Sequence, residues 1–115
     1  MSRHFSEDKV ASFLASQKYR ILDQNVIFPT GEIDIVASKG RMLVFVEVRY
    51  RKNFDAAETV DLKKLERIMQ CAYLYTGGEG SYRVDVFACG PKGCHWYKGV
   101  RLDGCCESVE WLNLW

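Results

Sequence analysis

Three carboxylates and one guanidinium fall at alternate positions in two neighbouring apolar stretches. Glu32 and Asp34 interrupt Gly31 to Val36, and Glu47 and Arg49 interrupt Leu43 to Arg49. Successive side chains of a β-strand point to opposite faces, so residues two apart share one. If the intervening Ser-Lys-Gly-Arg is a tight turn, the two stretches form a hairpin. Taking Lys39-Gly40 as its two-residue loop pairs Ser38 with Arg41, Ile33 with Val46 and Ile35 with Val44. One face is then aliphatic: Ile33, Ile35, Val44, Val46 and Val48. The other carries Glu32 opposite Glu47, with Asp34 and Arg49 beside them. A one-residue slip would push carboxylates into the aliphatic face, so the pattern itself supports this register.

Like charges opposed across a ladder destabilise it. The cluster therefore calls for a counter-charge, a proton or a metal. Oxygen-only donors suit a hard cation such as Mg²⁺ or Mn²⁺. Such an ion activates water and binds a phosphoryl oxygen, while a nearby cation stabilises transition-state charge. A solvated polar strand face, with Arg49 neutralising Glu47, is the plainer alternative, and spacing alone leaves both open.

The rest of the chain must hold that hairpin. Its 115 residues suit one domain, 1–115, and a composition 48% hydrophobic and 27% charged is that of a globular protein, not a disordered one. Helical spacing of Val10, Ala11, Phe13 and Leu14 predicts a first helix over Glu7 to Gln17, with Ser6 as its N-cap. Tyr19 to Phe28 reads as a strand, Glu32 to Ala37 and Met42 to Tyr50 as the hairpin, and Asn53 to Thr59 as a polar loop. A second helix runs from about Val60 to Tyr75, with Leu65, Ile68, Met69, Ala72 and Tyr73 as its apolar face, and is ended by Gly77, Gly78 and Gly80. Tyr82 to Cys89 is a strand in which Val84, Val86 and Ala88 alternate with Arg83, Asp85 and Phe87. Gly90 to Gly93 turns into a short strand, Cys94 to Lys98. The tail after Asp103, with Trp111, Leu112 and Trp115, fits either a helical turn or packing across an edge. The order α-β-β-β-α-β-β predicts an α/β fold, a mixed sheet flanked by helices.

Gly31-Glu32-Ile33-Asp34-Ile35-Val36 followed by Leu43-Val44-Phe45-Val46-Glu47-Val48-Arg49 resembles the signature of the YraN-like family. These are small bacterial proteins similar to archaeal Holliday-junction resolvases of the PD-(D/E)xK nuclease superfamily. Glu7 with its following apolar pair, Asn25, Lys64 and Arg83-Val84-Asp85-Val86 also fit the pattern; nothing after Cys89 does. The resemblance implies a restriction-endonuclease-like core. It makes Asp34 and Glu47 the metal-binding acids, with Glu32 beside them and Glu7 a further carboxylate from the first helix. Arg49 stands where the superfamily motif has a catalytic Lys. An arginine stabilises charge but cannot accept a proton; Lys64 or Lys52 is the amine another element could supply. The motif's Pro is also missing, with Ile33 before Asp34.

The net charge of +1 does not by itself announce a polyanion partner. The basic residues are instead local: Arg49, Arg51 and Lys52 leave the hairpin, and Lys63, Lys64 and Arg67 share the second helix at spacings of three and four. Folded against the strand end, they would hold phosphates beside the acids. A solvated helix face balanced by Glu58, Asp61 and Glu66 is the alternative. No base-reading motif is visible, so recognition would rest on backbone and shape.

Five cysteines are an odd number, and in a chain without a secretory apolar stretch they read as thiols. Cys89-x4-Cys94-His95 with Cys105-Cys106 is poor zinc spacing, so a structural zinc is not expected. A Cys-His protease lacks a third orienting group. No run approaches the roughly 18 apolar residues of a membrane span. Taken together, the expectation is a cytoplasmic, Mg²⁺- or Mn²⁺-dependent endonuclease acting on DNA, at branched or damaged sites. A nucleic-acid-binding module that keeps the fold without turnover is the alternative, and a zinc-stabilised interaction domain a third reading. The apolar tail either packs on the domain or joins two copies as a homodimer.

Overall fold

A computed structural model describes residues 5–52 and 61–115. The expected Asn53 to Thr59 loop and Val60 lie outside them. The element order is α1 (Phe5–Ser16), β1 (Arg20–Phe28), β2 (Gly31–Lys39), β3 (Met42–Tyr50), α2 (Leu62–Thr76), β4 (Tyr82–Gly90), β5 (Gly93–Lys98) and β6 (Ser108–Leu112). The six strands form one sheet in the order β1-β2-β3-β4-β5-β6. All neighbours are antiparallel except β3 and β4, which are parallel. A parallel pair needs a crossover, and α2 lies within it. The α/β architecture with a mixed sheet is as the sequence implies, with one strand more: the tail is β6, not a helical turn.

Alternation along the central strands makes two cores. Ile35, Ala37, Val44, Val46 and Phe87 pack with Val10 and Leu14 of α1. Val36, Phe45, Val84 and Val86 pack with Leu65, Ile68, Cys71 and Ala72 of α2. Buried on both faces, β3 reads as a continuous apolar run. Tyr73 is off the buried stripe of α2 and is exposed, contrary to the sequence expectation; Cys71 and the half-buried Tyr75 take that side. Asp61 caps α2, accepting from the Lys63 amide at 3.0 Å. Ser6 lies inside the first turn of α1, which already includes Phe5, so it does not cap that helix.

The hairpin register differs from the expected one. Lys39 pairs with Met42 and Ile35 with Val46, so the loop is Gly40-Arg41. Gly40 has φ 60°, the positive value that the first position of a type II′ loop requires and that a lysine resists. The displacement is two residues, so the paired side chains from Ile35 to Lys39 and from Met42 to Val46 keep their faces. Ile33 nevertheless packs with the α2-side core, not with Ile35. Paired residues of β2 and β3 run only from Ile35–Val46 to Lys39–Met42, and beyond them the Asp34 carboxylate, not a β2 carbonyl, takes the Val48 amide at 2.8 Å.

Cys89 and Cys94 oppose each other across β4 and β5 and form a disulfide, correcting the expectation of free thiols there. Cys71, Cys105 and Cys106 are free. Gly93 brings β6 close: a Cβ at that position would collide with the Leu112 carbonyl oxygen.

Candidate active site

Where β2 and β3 part, Asp34 and Glu47 meet the first turns of α2. A cleft of about 240 Å³ is lined by Gly31, Glu32, Asp34, Glu47, Lys64, Arg67 and Ile68. Glu47 is 6% exposed, the burial of a core residue. The Lys64 ammonium reaches it at 3.0 Å from a side chain that is itself half-exposed. Asp34 is fixed by its bond from the Val48 amide.

Burial and the neighbouring Glu47 push Asp34 up to about 8, with Glu7 and Glu32 adding to the repulsion and the Val48 amide opposing it. Burial also raises Glu47, while Lys64 and Arg49 pull it back. The pair thus divides into a carboxyl that holds a proton at neutral pH and one that leans on cations.

Glu7 and Glu32 are joined by Asn25, whose amide donates to Glu7 Oε2 at 3.2 Å and to Glu32 Oε1 at 3.3 Å. Asn25 sits in β1 at φ 52°, a left-handed conformation that asparagine tolerates better than β-branched residues do. It ties the first turn of α1 to the start of β2. The resemblance marks Asn25 without saying what it does; an asparagine inside a strand was the only other signal.

The basic residues divide. Lys64 and Arg67, three apart on α2, line the cleft, whereas Lys63 is exposed outside it. Arg49 is half-buried and close enough to bias Glu47. Arg51 and Lys52 are exposed beyond the strand end, with Arg51 Nη1 donating to the Tyr50 carbonyl at 3.2 Å. Helix α2 therefore does bring its cations to the acids.

A family model described as "Uncharacterised protein family UPF0102" matches residues 6–89. This chain belongs to the UPF0102 family. That is the YraN-like family whose motif the sequence resembles. A UPF0102 protein of Thermotoga neapolitana is 41% identical over 101 residues, 84% of this chain and 94% of the relative. One from Dictyoglomus thermophilum is 44% identical over 72 residues, 60% of this chain and 61% of the relative. One from Campylobacter jejuni is 37% identical over 84 residues, 70% of this chain and 75% of the relative. The UPF0102 match ends at Cys89, so β5, β6 and the disulfide partner Cys94 lie beyond it. Among the described residues, no helix is long and apolar enough to cross a membrane.

The donor set at the cleft is oxygen, suited to Mg²⁺ or Mn²⁺. Among the described residues no three His, Cys, Asp or Glu side chains stand together as a metal cage. Asp34, half-buried, and Glu47, buried, are two carboxylates of the cleft that can offer oxygen donors there. That fits Mg²⁺, which is ordinarily held by one or two carboxylates with water and phosphate oxygens completing its shell. Their mutual repulsion is what a bound cation relieves.

Proposed function

We propose that this protein is a metal-dependent nuclease of the bacterial cytoplasm that hydrolyses DNA phosphodiester bonds, at branched or damaged structures. The observation that carries this reading is the convergence of Asp34, Glu47 and Lys64 in one cleft, on the motif that resembles the PD-(D/E)xK signature. Asp34 and Glu47 would hold Mg²⁺ or Mn²⁺, with Glu32 and Glu7 as an outer pair ordered by Asn25. When bound, the ion supplies charge stabilisation at a phosphoryl oxygen.

The chain's own residues do the rest. Arg67 and Arg51 place the phosphates, with Lys52 extending the basic border, while Lys63, outside the cleft, takes no part. Arg49 offsets negative charge that grows in the transition state. Lys64 supplies from α2 the amine that Arg49 cannot supply from β3, in a position to move a proton at the scissile phosphate. Asp34 must give up its proton before it can serve as a ligand, so activity should rise with pH towards about 8.

The test is cleavage of labelled duplex, flap, junction and single-stranded DNA with Mg²⁺, Mn²⁺ or chelator. Metal-dependent products, reduced by about a hundredfold or more in Asp34→Asn and Glu47→Gln, are expected. Wild-type protein that binds these DNAs without cutting any of them would instead mark a non-catalytic binding module.

A further inference from the structure

On the outermost strand, one large ring faces the same side of the sheet as the cleft. Leu112 of β6 packs into the α1-side core, so its neighbour Trp111 points to the opposite face. That is the face of Glu47 and α2, and register across β3, β4, β5 and β6 lines up Arg49, Ala88, His95 and Trp111. Trp111 is 48% exposed. Its placement is fixed from below: the indole lies on Gly93, where a Cβ would come within 3.1 Å of Trp111 Cζ2. It also meets the His95 ring, with centroids 4.8 Å apart.

Beside the indole, the β4–β5 turn closes a notch of about 260 Å³, lined by Gly90, Pro91, Lys92 and Trp111. The turn is clamped twice. The Cys89–Cys94 disulfide bridges the two strands next to it. From the other face, the Trp115 indole N–H donates to the carbonyls of Gly90 and Pro91, both at 3.1 Å. A slot with an aromatic wall and a fixed opposite wall is preorganised for a flat ring. Among the described residues its lining holds one cation, the exposed Lys92, and no carboxylate. A ring with a negative charge close by fits that combination, and a nucleobase with its phosphate is such a group.

The notch lies within reach of the cleft. Three strand spacings separate Trp111 from Arg49, roughly 14 Å, which a stacked strand covers in about four nucleotides. The parallel pairing of β3 and β4 brings their ends together, where the Arg51 amide donates to the Cys89 carbonyl at 2.9 Å. Lys52 stands just beyond β3 and Lys92 in the turn after β4, both exposed. The two lysines mark a path for phosphates around the strand ends. A base paired inside a duplex offers no face to a slot, and a bilayer offers no ring.

We propose that the notch between Trp111 and the turn at 90–92 takes an unpaired nucleobase a few nucleotides from the scissile bond, with Lys92 on its phosphate. This rests on the reading of the cleft as a phosphodiester site, and it names the substrate class: DNA with a single-stranded stretch near the bond that is cut. All four lining residues lie beyond residue 89, where the UPF0102 match ends.

The experiment measures binding of an oligo-dT strand and of a closed-circular duplex in chelator, where no cutting occurs, by affinity and by tryptophan fluorescence. Trp111→Ala should weaken oligo-dT binding about tenfold, with duplex affinity changed less than twofold. Lys92→Ala should flatten the logarithmic salt slope for oligo-dT by about 0.7. Trp111→Phe keeps a ring on Gly93 and should retain much of the affinity while losing most of the fluorescence quenching. That variant keeps the test sound even if Trp111→Ala folds poorly. Unchanged oligo-dT binding in Trp111→Ala, an unchanged slope in Lys92→Ala, or quenching that survives Trp111→Phe overturns the notch and leaves the cleft reading intact. Wild-type protein that binds duplex but not oligo-dT does the same. Binding to neither DNA defeats the cleft reading and the notch with it. Sedimentation velocity showing a wild-type dimer that Trp111→Ala dissociates gives the notch to a second copy, and quenching by phosphatidylglycerol vesicles in place of DNA gives it to a membrane. Either result overturns the proposal.

Discussion

Asp34 and Lys64 are where the chemistry is most exposed to test. Asp34 titrates near 8 when folded and near 3.8 when unfolded. Between those values the native state holds a proton that the unfolded chain has released. Stability from this group therefore falls as pH rises from about 4 to about 8, and is flat outside that window. Asp34→Asn keeps an acceptor for the Val48 amide but removes the titration. It should raise the melting temperature by about 4–8 °C at pH 8, the equivalent of about 1 kcal/mol, and by little at pH 4. Calorimetric scans of both proteins at the two pH values check this; equal gains at both would remove Asp34 as the titrating group. Lys64 is tested by charge against proton transfer. Lys64→Arg should preserve the pair with Glu47 and the melting temperature, yet cut the single-turnover cleavage rate about a hundredfold, as loss of a proton-transfer group does. Arg49→Ala should lower the rate with DNA affinity nearly intact, and Arg49→Lys should keep it. A Lys64→Arg enzyme as fast as wild type would reduce Lys64 to a counter-charge.

At the scale of elements, β4 and β5 carry features that alternation misreads. Arg83, Asp85 and Phe87 look like one face of a strand, with the charged pair pointing to water. Asp85 is instead fully buried. It accepts from Arg83 Nε and Nη2, from Trp96 Nε1 at 2.9 Å and from the Gly99 amide at 2.9 Å. Arg83 goes on to the Tyr19 hydroxyl at 2.8 Å, so the network ties β4, β5 and the entry to β1. Sequence period cannot reveal this, because a carboxylate saturated by four donors has the same pattern as a solvated one. Asp85→Ala strands those donors and should cost about 3–5 kcal/mol, measured by urea unfolding. A cost under about 1 kcal/mol would mean that water replaces the carboxylate. The hairpin, by contrast, was legible in parity and not in register. Alternation decides which residues share a face, while the loop depends on where a positive φ falls, and Gly40 takes its first position. The Cys89–Cys94 bond was hidden for another reason: expected compartment argued for thiols, and only pairing across β4 and β5 shows the two sulfurs together. Reducing it with dithiothreitol should lower stability by roughly 2 kcal/mol on the chain-entropy account of a short loop. Unfolding curves that coincide with and without reductant would show that the bond contributes little.

Across the whole molecule, charge is nearly balanced, +1 on 115 residues, yet its distribution is not. Acids concentrate inside the cleft and cations border it: Lys64 and Arg67 from α2, Arg51 and Lys52 from the end of β3. This segregation was only partly legible, since the spacing of the helix cations left a solvated face equally open and the fold alone decides which of them face the acids. Binding of DNA should therefore rely on a few phosphate contacts and not on a general field. Four such contacts predict a logarithmic salt slope of about −3 to −4 for duplex. Replacing Arg51, Lys52 or Arg67 singly by alanine should weaken binding across sequences and flatten that slope by about one each. Lys63→Ala, outside the cleft, should leave it almost unchanged. Affinities measured from 50 to 200 mM salt, in chelator to prevent cutting, give the slopes. If Lys63→Ala flattens the slope as much as Arg67→Ala does, the phosphate path crosses the outer face of α2 instead of the cleft, and the acids are not positioned to act on the bound strand.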